Sequence, residues 1–279
     1  MKMLFIILIL IVNDLYSQEK YILSIGAIFQ NESPYLQEWI EYHYEHGVEH
    51  FYLYNNNSTD DFKETLNPWI RAGVVELIQW TSIPLELDGD HFTFQVQTGA
   101  YDDAINRSKN VSKWLALIDI DEFIIAIKYD QIPDLLEKEY QGVSGLCVNW
   151  QCYGTSNIKQ CKSVLHELVY KMRWNHEWNK HSKTICQPLH VSNCPNPHYC
   201  IYIDNHWAID SNYNRCDICP NAVSIDKIRL NHYWTRDEKF LYDVKIARYK
   251  KWGVDPQSLI DHANSMNEEY DPILSNSGG

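Results

Sequence analysis

The sequence predicts an α/β protein with a mostly parallel, doubly wound sheet and helices on both of its faces. Short apolar runs typical of buried strands alternate four times with segments of helical pattern over about 120 residues. Polar loops follow three of these strands, at residues 30–34, 55–61 and 119–122. Sheets of this kind bind ligands at the carboxyl ends of their strands, so we expect these loops to open on one edge.

The first half of the chain supplies most of the predicted elements. Strands are predicted at residues 21–28, 48–54, 74–80 and 114–118. Helices are predicted between them at residues 33–46, 62–71 and 95–107. The first helix has the clearest limits, because Ser33 can cap it, Pro34 fits its first position and Gly47 ends it.

The pattern is weaker after residue 123. A short helix is predicted at 133–140, and strand-like segments at 146–150, 201–204 and 228–234. An amphipathic helix is predicted at 236–251, with Phe240, Val244 and Ala247 facing inward. The Cys-rich stretch between them is expected to be irregular, and residues 255–279 are expected to form a loosely ordered polar tail.

The N-terminal residues have the pattern of a secretory signal. Lys2 precedes an apolar run from residue 3 to residue 12, which is too short to span a bilayer well. We therefore predict that residues 1–17 are a signal peptide, or a short membrane anchor if they are not removed. The expected location is the secretory pathway (Golgi or endoplasmic reticulum lumen) or the outside of the cell.

All eight cysteines lie between residues 147 and 219. An even number of cysteines behind a secretory signal favours disulfide bonds, although their pairing cannot be deduced from the sequence. A zinc site is the alternative, because Cys216 and Cys219 are spaced as zinc ligands often are, with Cys194 and Cys200 upstream.

The acidic composition limits the classes of partner. A formal net charge of −13 argues against nucleic acid or an anionic membrane surface as the main partner. It also means that a bound nucleotide phosphate would need a metal ion or a few well-placed cations.

The strongest chemical motif directly follows the predicted strand at 114–118. Asp119 and Asp121 are two residues apart, so on extended chain their carboxylates point the same way. Two carboxylates that close repel each other unless a cation lies between them, and a hard ion such as Mn²⁺ or Mg²⁺ fits this requirement. A solvated acidic loop is the alternative interpretation, because a lone Asp-x-Asp motif is weak.

Six blocks of sequence together resemble glycosyltransferase family 92, of the GT-A superfamily. They occur in the family's order over residues 21–251: Asn31 to His43 with Gly47-Val48, Tyr54 to Asp60, Gln97 to Tyr101, Asp119-Ile120-Asp121-Glu122-Phe123, Lys183 to Pro188, and Asn231-His232-Tyr233-Trp234. The ordered set is more specific than any one block. It implies a GT-A-type, Rossmann-like catalytic domain over residues 18–254.

The resemblance also implies an activity. It implies transfer of a sugar, galactose-like, from a UDP-sugar to a hydroxyl of a glycan or glycoprotein, with inversion at the anomeric carbon and a Mn²⁺-type metal. Asp119, Asp121 and His232 would hold the metal, with Asp119 also at the ribose. Lys183 would lie near the diphosphate, and contacts to the base and ribose would come from Glu32, Asp60 and Gln97.

Inversion in one step needs a general base for the acceptor hydroxyl. The family pattern suggests Glu167, with Glu177 and Asp210 as alternatives. The match is loose here, since Leu168 stands where the family has a basic residue and only Gly154-Thr155-Ser156 represents the acceptor loop.

Less specific interpretations stand beside these assignments. From sequence alone, His232 is better explained as a core histidine between Leu230 and Trp234, and Lys183 as an ordinary surface lysine. Two other functions remain open: a glycoside hydrolase with paired carboxylates, whose two carboxyl groups would lie at least ~5 Å apart across the bond, and a non-catalytic glycan-binding protein of the same fold. Association with a membrane is expected only if the N-terminal segment is retained.

Overall fold

The structure is a computed structural model that describes residues 19–81, 89–251, 253–271 and 273–274, with the backbone alone for 89–94. The predicted signal segment at 1–17 lies outside the described residues. Among the described residues, no helix combines the length and the apolar character needed to cross a membrane.

Four parallel strands form one end of the sheet: β1 (Tyr21–Phe29), β2 (His50–Asn55), β3 (Val75–Gln79) and β4 (Ser112–Leu117). They lie in the spatial order β4-β1-β2-β3. β1 pairs in parallel register with both β2 and β4, and β2 with β3. The predicted α/β fold class is confirmed.

Three helices cover the two faces of this sheet: α1 (Ser33–Glu45), α2 (Phe62–Arg71) and α3 (Gly89–Ser108). Apolar residues of α1 and α2 share one buried core with alternate residues of β1, such as Ile25. α3 packs on the other face, where Ala104 joins Leu115 and Leu117 in a separate core. The sheet is therefore doubly wound, as predicted.

The second half of the chain is more regular than the sequence predicted. It contributes strands β5 (Glu122–Ala126), β6 (Gly145–Cys152), β7 (Tyr170–Lys171), β8 (Ser182–Cys186), β9 (Val191–Asn196), β10 (Tyr199–Tyr202), β11 (Ala208–Ile209), β12 (Arg215–Cys216) and β13 (Ile228–His232). It also holds the short helices α4 (Ile132–Glu139) and α5 (Val164–Glu167), and 3-10 turns at Glu177–Lys180 and Pro188–His190.

Strands of this second half extend the central sheet to ten strands. β8 pairs antiparallel with β4 and β6, and β13 pairs with β5 and in parallel with β6. The sheet order is β12-β11-β6-β8-β4-β1-β2-β3, with β13 paired to β6 and β5 paired to β13. This pairing brings the C-terminal half against the loop that follows β4.

The C-terminal segment differs from its prediction. Helices α6 (Glu238–Phe240) and α7 (Ala247–Lys251) enclose a π-helical stretch, Leu241–Ile246, and are followed by α8 (Pro256–Ser265) and β14 (Glu269–Tyr270). Of the residues predicted to face inward, Phe240 and Val244 are half-buried and Ala247 is exposed, whereas the buried residues of this segment are Leu241 and Ile246. A π turn holds more residues than an α turn and so changes which residues face the core.

The predicted tail also contains regular structure. Asp255 caps α8 by accepting a hydrogen bond from the backbone N–H of Ser258. Leu259 and Ala263 of α8 are buried against Leu241 and Ile246. One apolar stripe on an otherwise polar helix is enough to dock it, which explains why composition alone suggested loose order.

The sequence predicted disulfide bonds without their pairing, and one disulfide is present among the described residues. It joins Cys194 on β9 to Cys200 on β10. The other six cysteines are free thiols, and four of them, Cys147, Cys152, Cys186 and Cys216, are buried. Because Cys194 and Cys200 bond to each other, they are not available for the zinc site considered as an alternative.

Candidate active site

The loops that follow β1 and β2 are joined at the carboxyl edge of the sheet. The Asn31 side-chain oxygen accepts a hydrogen bond from the Thr59 N–H at 2.8 Å. Asp60 Oδ2 accepts one from the Ser33 N–H at 2.7 Å, at the start of α1. Asp60, predicted to contact the nucleotide, thus holds the two loops together through one carboxylate oxygen.

Asp119 is the centre of a hydrogen-bonded network at the same edge. Its Oδ1 accepts from Gln97 Nε2 at 2.6 Å and from the Tyr101 hydroxyl at 3.0 Å, and its Oδ2 lies 2.8 Å from Lys183 Nζ. Gln97 and Tyr101 come from α3, and Lys183 comes from β8. Three residues that the sequence placed at the donor site, Gln97, Asp119 and Lys183, are therefore in direct contact.

Lys183 is enclosed by oxygen atoms. Its side chain is 1% exposed, and Nζ is 2.8 Å from Asp119, 3.3 Å from the Tyr101 hydroxyl and 3.8 Å from Glu122 Oε2. Burial alone would lower the pKa of Lys183, but Asp119 and Glu122 raise it well above its usual value. The ammonium is therefore permanently charged and fixed in place.

Glu122 supports the turn that carries the two aspartates. Its Oε2 accepts a hydrogen bond from the Asp119 N–H at 2.8 Å. Burial raises the pKa of Glu122 to about 8, with Lys183 opposing the shift and the nearby Asp119 and Asp121 adding to it.

Asp121 has partners of its own. Its Oδ1 lies 3.6 Å from His232 Nε2, and its Oδ2 lies 3.5 Å from Lys245 Nζ. Burial would raise the pKa of Asp121, but Lys245 and His232 hold it well below its usual range. Asp121 is therefore ionised.

The two aspartates do not lie on extended chain as the sequence analysis assumed. β4 ends at Leu117 and β5 begins at Glu122, so both lie in the turn between these strands, which the Glu122 N–H closes with a bond to the Asp119 carbonyl at 3.1 Å. The strand-alternation argument therefore does not apply to them. Both side chains nevertheless line the same cavity.

This cavity has a volume of about 460 Å³. Its charged and titratable lining residues are Asp119, Asp121, Lys183, His198, His232, Lys245, Tyr249 and His262. Its apolar lining is largely aromatic, with Trp150, Trp178 and Trp234. The cavity combines two carboxylates, two lysines and three indole rings, which suits a ligand with both a charged group and an uncharged ring.

His232 reaches the cavity from β13, where it pairs with Glu122 of β5 and Cys152 of β6. Its ring lies 4.1 Å from that of Trp150, measured between centroids. The register of this strand places His232 beside Asp121, which lies 111 residues earlier in the chain.

Asp121 and His232 fit a divalent cation. Two ligands bound at about 2.1 Å to one ion lie roughly 3–4 Å apart, and the observed separation of 3.6 Å falls in this range. Among the described residues, no three His, Cys, Asp or Glu side chains form a complete metal cage. An ion here would therefore need further ligands from substrate phosphate and water, which is the usual arrangement for Mg²⁺-type ions.

Glu32 has a different environment from the one predicted. Its carboxylate lies 2.6 Å from Arg236 Nη2, and the guanidinium lies over the Tyr35 ring at 3.6 Å and the Phe240 ring at 4.5 Å. Glu32 does not line the cavity described above. In this structure it anchors Arg236 and so connects the loop after β1 to the segment after β13.

The predicted general base also lies elsewhere. Glu167 Oε1 accepts hydrogen bonds from the backbone N–H groups of Lys162 at 2.6 Å and Ser163 at 2.9 Å, so it closes its own short helix and does not line the cavity. Of the two alternatives, Glu177 is exposed and pairs with Lys180, and Asp210 accepts from the backbone N–H groups of Asn212 and Asn214.

Several residues at or near the site were not predicted from the sequence, among them His198, Lys245 and Arg236. Lys245 and His198 line the cavity, and Arg236 lies close enough to Asp121 to lower its pKa. The position of Arg236, just after the Asn231-His232-Tyr233-Trp234 block, was a usable indication. Lys245 and His198 lie outside all six blocks.

The sequence is similar to that of a known family over most of its length. Residues 19–271 match the family described as Glycosyltransferase family 92. The chain belongs to glycosyltransferase family 92, as predicted.

The chain is similar to several plant proteins of this family. It is 24% identical over 149 residues to a glycosyltransferase family 92 protein of Ricinus communis, covering 52% of this chain and 25% of that protein. It is 29% identical over 105 residues to one of Arabidopsis thaliana, covering 37% of this chain and 16% of that protein. The chain thus spans a quarter or less of the length of these relatives.

Two solved structures show a partial likeness in fold. One is S. aureus TarS 1–349 in complex with UDP-GlcNAc, with a TM-score of 0.39 and 10% identity, covering 60% of this chain and 45% of that one. The other is glucosyl-3-phosphoglycerate synthase from Mycobacterium tuberculosis with Mn²⁺, UDP and glucosyl-3-phosphoglycerate, with a TM-score of 0.34 and 11% identity, covering 61% and 58% of the two chains.

Proposed function

We propose that the protein is a metal-dependent, inverting glycosyltransferase that moves a hexose, such as galactose, from a UDP-sugar to a hydroxyl of a glycan or glycoprotein. The observation that supports this most is the meeting of Asp121 and His232 with Asp119 and Lys183 in one cavity, in a chain of family 92. Each pair comes from distant parts of the sequence.

The donor would be held by groups already fixed in the cavity. Asp121 and His232 would hold Mn²⁺ or Mg²⁺, which when bound supplies positive charge opposite the departing diphosphate. Asp119, held by Gln97 and Lys183, is positioned to accept hydrogen bonds from the ribose hydroxyls of the donor. These groups are preorganised, so little ordering is needed when the donor binds.

The acceptor hydroxyl needs a base. Its oxygen attacks the anomeric carbon, the bond from that carbon to the diphosphate oxygen breaks, and the hydroxyl proton passes to the base. Because Glu167 is held by backbone amides outside the cavity, we assign this role to His198. Its Nδ1–H donates to the Ser182 carbonyl at 2.9 Å, which leaves the lone pair on Nε2.

The protonation state of His198 suits a base. Burial, and then the charge of Lys183, lower the pKa of His198 to about 4, so its ring is neutral at physiological pH. A bound diphosphate would offset the effect of Lys183 and raise this pKa toward the operating range of a general base.

The hydrolase alternative has less support. A glycosidase needs one carboxyl group free to donate a proton and another free to act on the sugar. Asp119 and Asp121 are each paired with a lysine, and Glu122, whose pKa is raised, is completely buried. The alternative of a non-catalytic glycan-binding protein would leave Asp121 and His232, the pair that fits a divalent cation, without a role.

We further propose that the protein acts in the secretory pathway or outside the cell. The N-terminal pattern at residues 1–17 and the Cys194–Cys200 disulfide both support an oxidising compartment. N-terminal sequencing of the protein from its native host would test this. Finding Met1 retained on protein from a reducing compartment would contradict it.

The test of the activity is calorimetric titration of UDP into the full chain, with Mn²⁺ and with EDTA. We expect binding that requires Mn²⁺ and is lost in Asp121→Asn, followed by turnover of a UDP-sugar with a glycan acceptor. Binding that is indifferent to metal and to Asp121 would contradict the proposed donor site. Donor binding without any turnover would favour the glycan-binding alternative.

A further inference from the structure

Lys245 is an unusual residue in this cavity. Its side chain is only 12% exposed, and its Nζ lies 3.5 Å from Asp121 Oδ2. The ammonium also lies over the rings of Trp234 at 5.3 Å and Phe240 at 5.8 Å. A lysine this enclosed is held by specific contacts, because lysines rarely lose so much hydration without a partner.

The backbone around Lys245 sets its direction. The residue lies in the π-helical stretch Leu241–Ile246, one position before the buried Ile246 and two before the exposed Ala247. π turns within helices occur frequently at functional sites, where they place a side chain that an α-helix would turn away. Here the turn aims a cation at the carboxylate that also faces His232.

The two lysines of the cavity differ in freedom. Lys183 has three oxygen partners within 3.8 Å and is 1% exposed. In the described part of the chain, Lys245 has a single carboxylate partner, at the long distance of 3.5 Å. A lysine has a flexible four-carbon stem, so an ammonium held by one long carboxylate contact and two aromatic rings can move a few ångströms.

The proposed metal creates a conflict at Asp121. A divalent ion bound to Asp121 and His232 would lie next to the Lys245 ammonium, and two cations at this distance repel strongly inside a protein. The diphosphate that completes the metal site brings several negative charges to the same place. The conflict is resolved if the ammonium moves from the carboxylate to the phosphate.

We propose that Lys245 is a positioning residue with two partners: it neutralises Asp121 in the free protein and binds the diphosphate of the nucleotide once a divalent ion occupies Asp121. This inference rests on the proposed function and adds a mechanism for coupling metal to donor. When the ion binds alone, it must displace the Lys245 ammonium from Asp121. When the nucleotide binds as well, its diphosphate gives that ammonium a new partner. Metal and nucleotide therefore bind cooperatively, each strengthening the other by the same factor.

The test uses Lys245→Met, which keeps the length of the side chain and removes its charge. Calorimetry on the full chain measures binding of Mn²⁺ alone and of UDP at saturating Mn²⁺. We expect Mn²⁺ alone to bind on the order of tenfold more tightly, since a competing cation is gone. We expect UDP to bind roughly tenfold to a hundredfold more weakly, the loss of one charge-assisted hydrogen bond.

Opposite changes in the two affinities identify the role. A purely structural lysine would weaken both or change neither, and either result would overturn the inference while leaving the proposed function intact. Wild-type protein that binds neither Mn²⁺ nor UDP would overturn both. Lys250→Met, on the exposed side of α7, is the matched control and should change neither affinity.

A second variant keeps the test valid if Lys245→Met is poorly folded, which its melting temperature would reveal. Lys245→Arg retains the charge, so UDP should bind within about tenfold of wild type while Mn²⁺ alone stays weak. Loss of UDP binding in folded Lys245→Arg together with unchanged Mn²⁺ binding in Lys245→Met would count against the proposed movement.

Discussion

His43 is a core residue of α1 that faces β5, and both of its ring nitrogens form hydrogen bonds with backbone groups. Its Nδ1–H donates to the Trp39 carbonyl at 2.8 Å, and its Nε2 accepts from the Ile124 N–H at 3.3 Å. This pairing requires the neutral ring, and burial lowers the pKa of His43 to about 3. The unfolded chain binds a proton on this ring near pH 6.5, so the stability it contributes is present above pH 6.5 and is lost as the pH falls toward 3.

The first prediction concerns this ring. His43→Gln should lower the free energy of unfolding at pH 7.5 by about 1–3 kcal/mol, because glutamine cannot keep both backbone bonds in place. Between pH 6.5 and 4 the free energy of unfolding of the variant should fall less steeply with decreasing pH than that of wild type. The two slopes should differ by up to about 1.4 kcal/mol per pH unit. Urea unfolding across this range measures both, with the exposed His166→Gln as control. Parallel pH profiles for wild type and His43→Gln would contradict the assignment.

The second prediction concerns His198 as general base. His198→Gln should lower kcat by about 10²- to 10⁴-fold, because it removes the base that takes the acceptor proton. The affinity for UDP with Mn²⁺ should change little, since the Asp121–His232 pair remains. Initial rates with a UDP-sugar, beside the His166→Gln control, measure the effect. An unchanged kcat would remove His198 from the mechanism.

Several of the residues that line the cavity belong to the sequence blocks that resemble the family. Asp119, Asp121, Lys183 and His232 all line the cavity. Glu32, Asp60 and Glu167 do not line the cavity. Glu32 and Asp60 bond to partners distant in the sequence, such as Arg236, 204 positions beyond Glu32, whereas Glu167 bonds to the nearby backbone N–H groups of Lys162 and Ser163.

At the scale of elements, the contact between α3 and β1 depends on a missing side chain. A Cβ on Gly26 would lie 2.8 Å from the Ala104 Cβ and 3.1 Å from Leu117 Cδ2. The absence of that atom lets the helix approach the sheet closely, behind the turn that carries Asp119.

The third prediction uses this contact. Gly26→Ala should lower the free energy of unfolding by about 1–3 kcal/mol through overpacking. Ala104→Gly alone should cost about 1 kcal/mol of helix propensity. In the double variant the costs should be less than additive, because the added methyl group takes the place of the removed one. Urea denaturation of the four proteins measures the coupling, and simple additivity would contradict a direct contact.

The fourth prediction concerns the 3-10 turn Glu177–Lys180. Its Trp178 is 42% exposed, lines the cavity and lies 4.1 Å from the His262 ring. We expect Trp178→Ala to raise the KM for a glycan acceptor about tenfold through loss of stacking, with UDP affinity unchanged. Trp174 is 54% exposed but does not line the cavity, so Trp174→Ala is the matched control. Equal effects of the two variants would remove Trp178 from the acceptor site.

Elements with strong local patterns were predicted closely, and α2 has the predicted limits of Phe62–Arg71. α3 begins six residues earlier than predicted, at Gly89. The π turn at Leu241–Ile246 was not predicted, since its sequence is compatible with an ordinary amphipathic helix. Which helical residues face inward there depends on contacts with α8.

For the whole molecule, ligand binding should raise the free energy of unfolding. UDP at about 100 times its dissociation constant, with saturating Mn²⁺, should add about 2.7 kcal/mol to the free energy of unfolding. For a domain of this size that raises the melting temperature by roughly 5–10 °C. The fifth prediction is that this shift appears with Mn²⁺, is absent with EDTA and is absent in Asp121→Asn. A shift that survives EDTA would contradict the proposed metal dependence.

The architecture of the first half could be derived from the sequence because its strands and helices alternate with short connections. The second half could not, because its strands are short and pair over long distances in the chain. β8, for example, is inserted between β4 and β6. The expectation drawn from the net charge of −13, that nucleic acid is not the main partner, stays a prediction that binding assays can check.

The π turn makes the placement of Lys245 a matter of chain length as well as residue identity. Removing one exposed residue, such as Tyr242, would let the segment around Leu241–Ile246 close into a continuous α-helix. Lys245 would then rotate by about 100° relative to the preceding turn and leave the carboxylate it faces. In a related sequence with a one-residue deletion in this helix, a lysine aligned with Lys245 would thus no longer place its ammonium beside the carboxylate of Asp121.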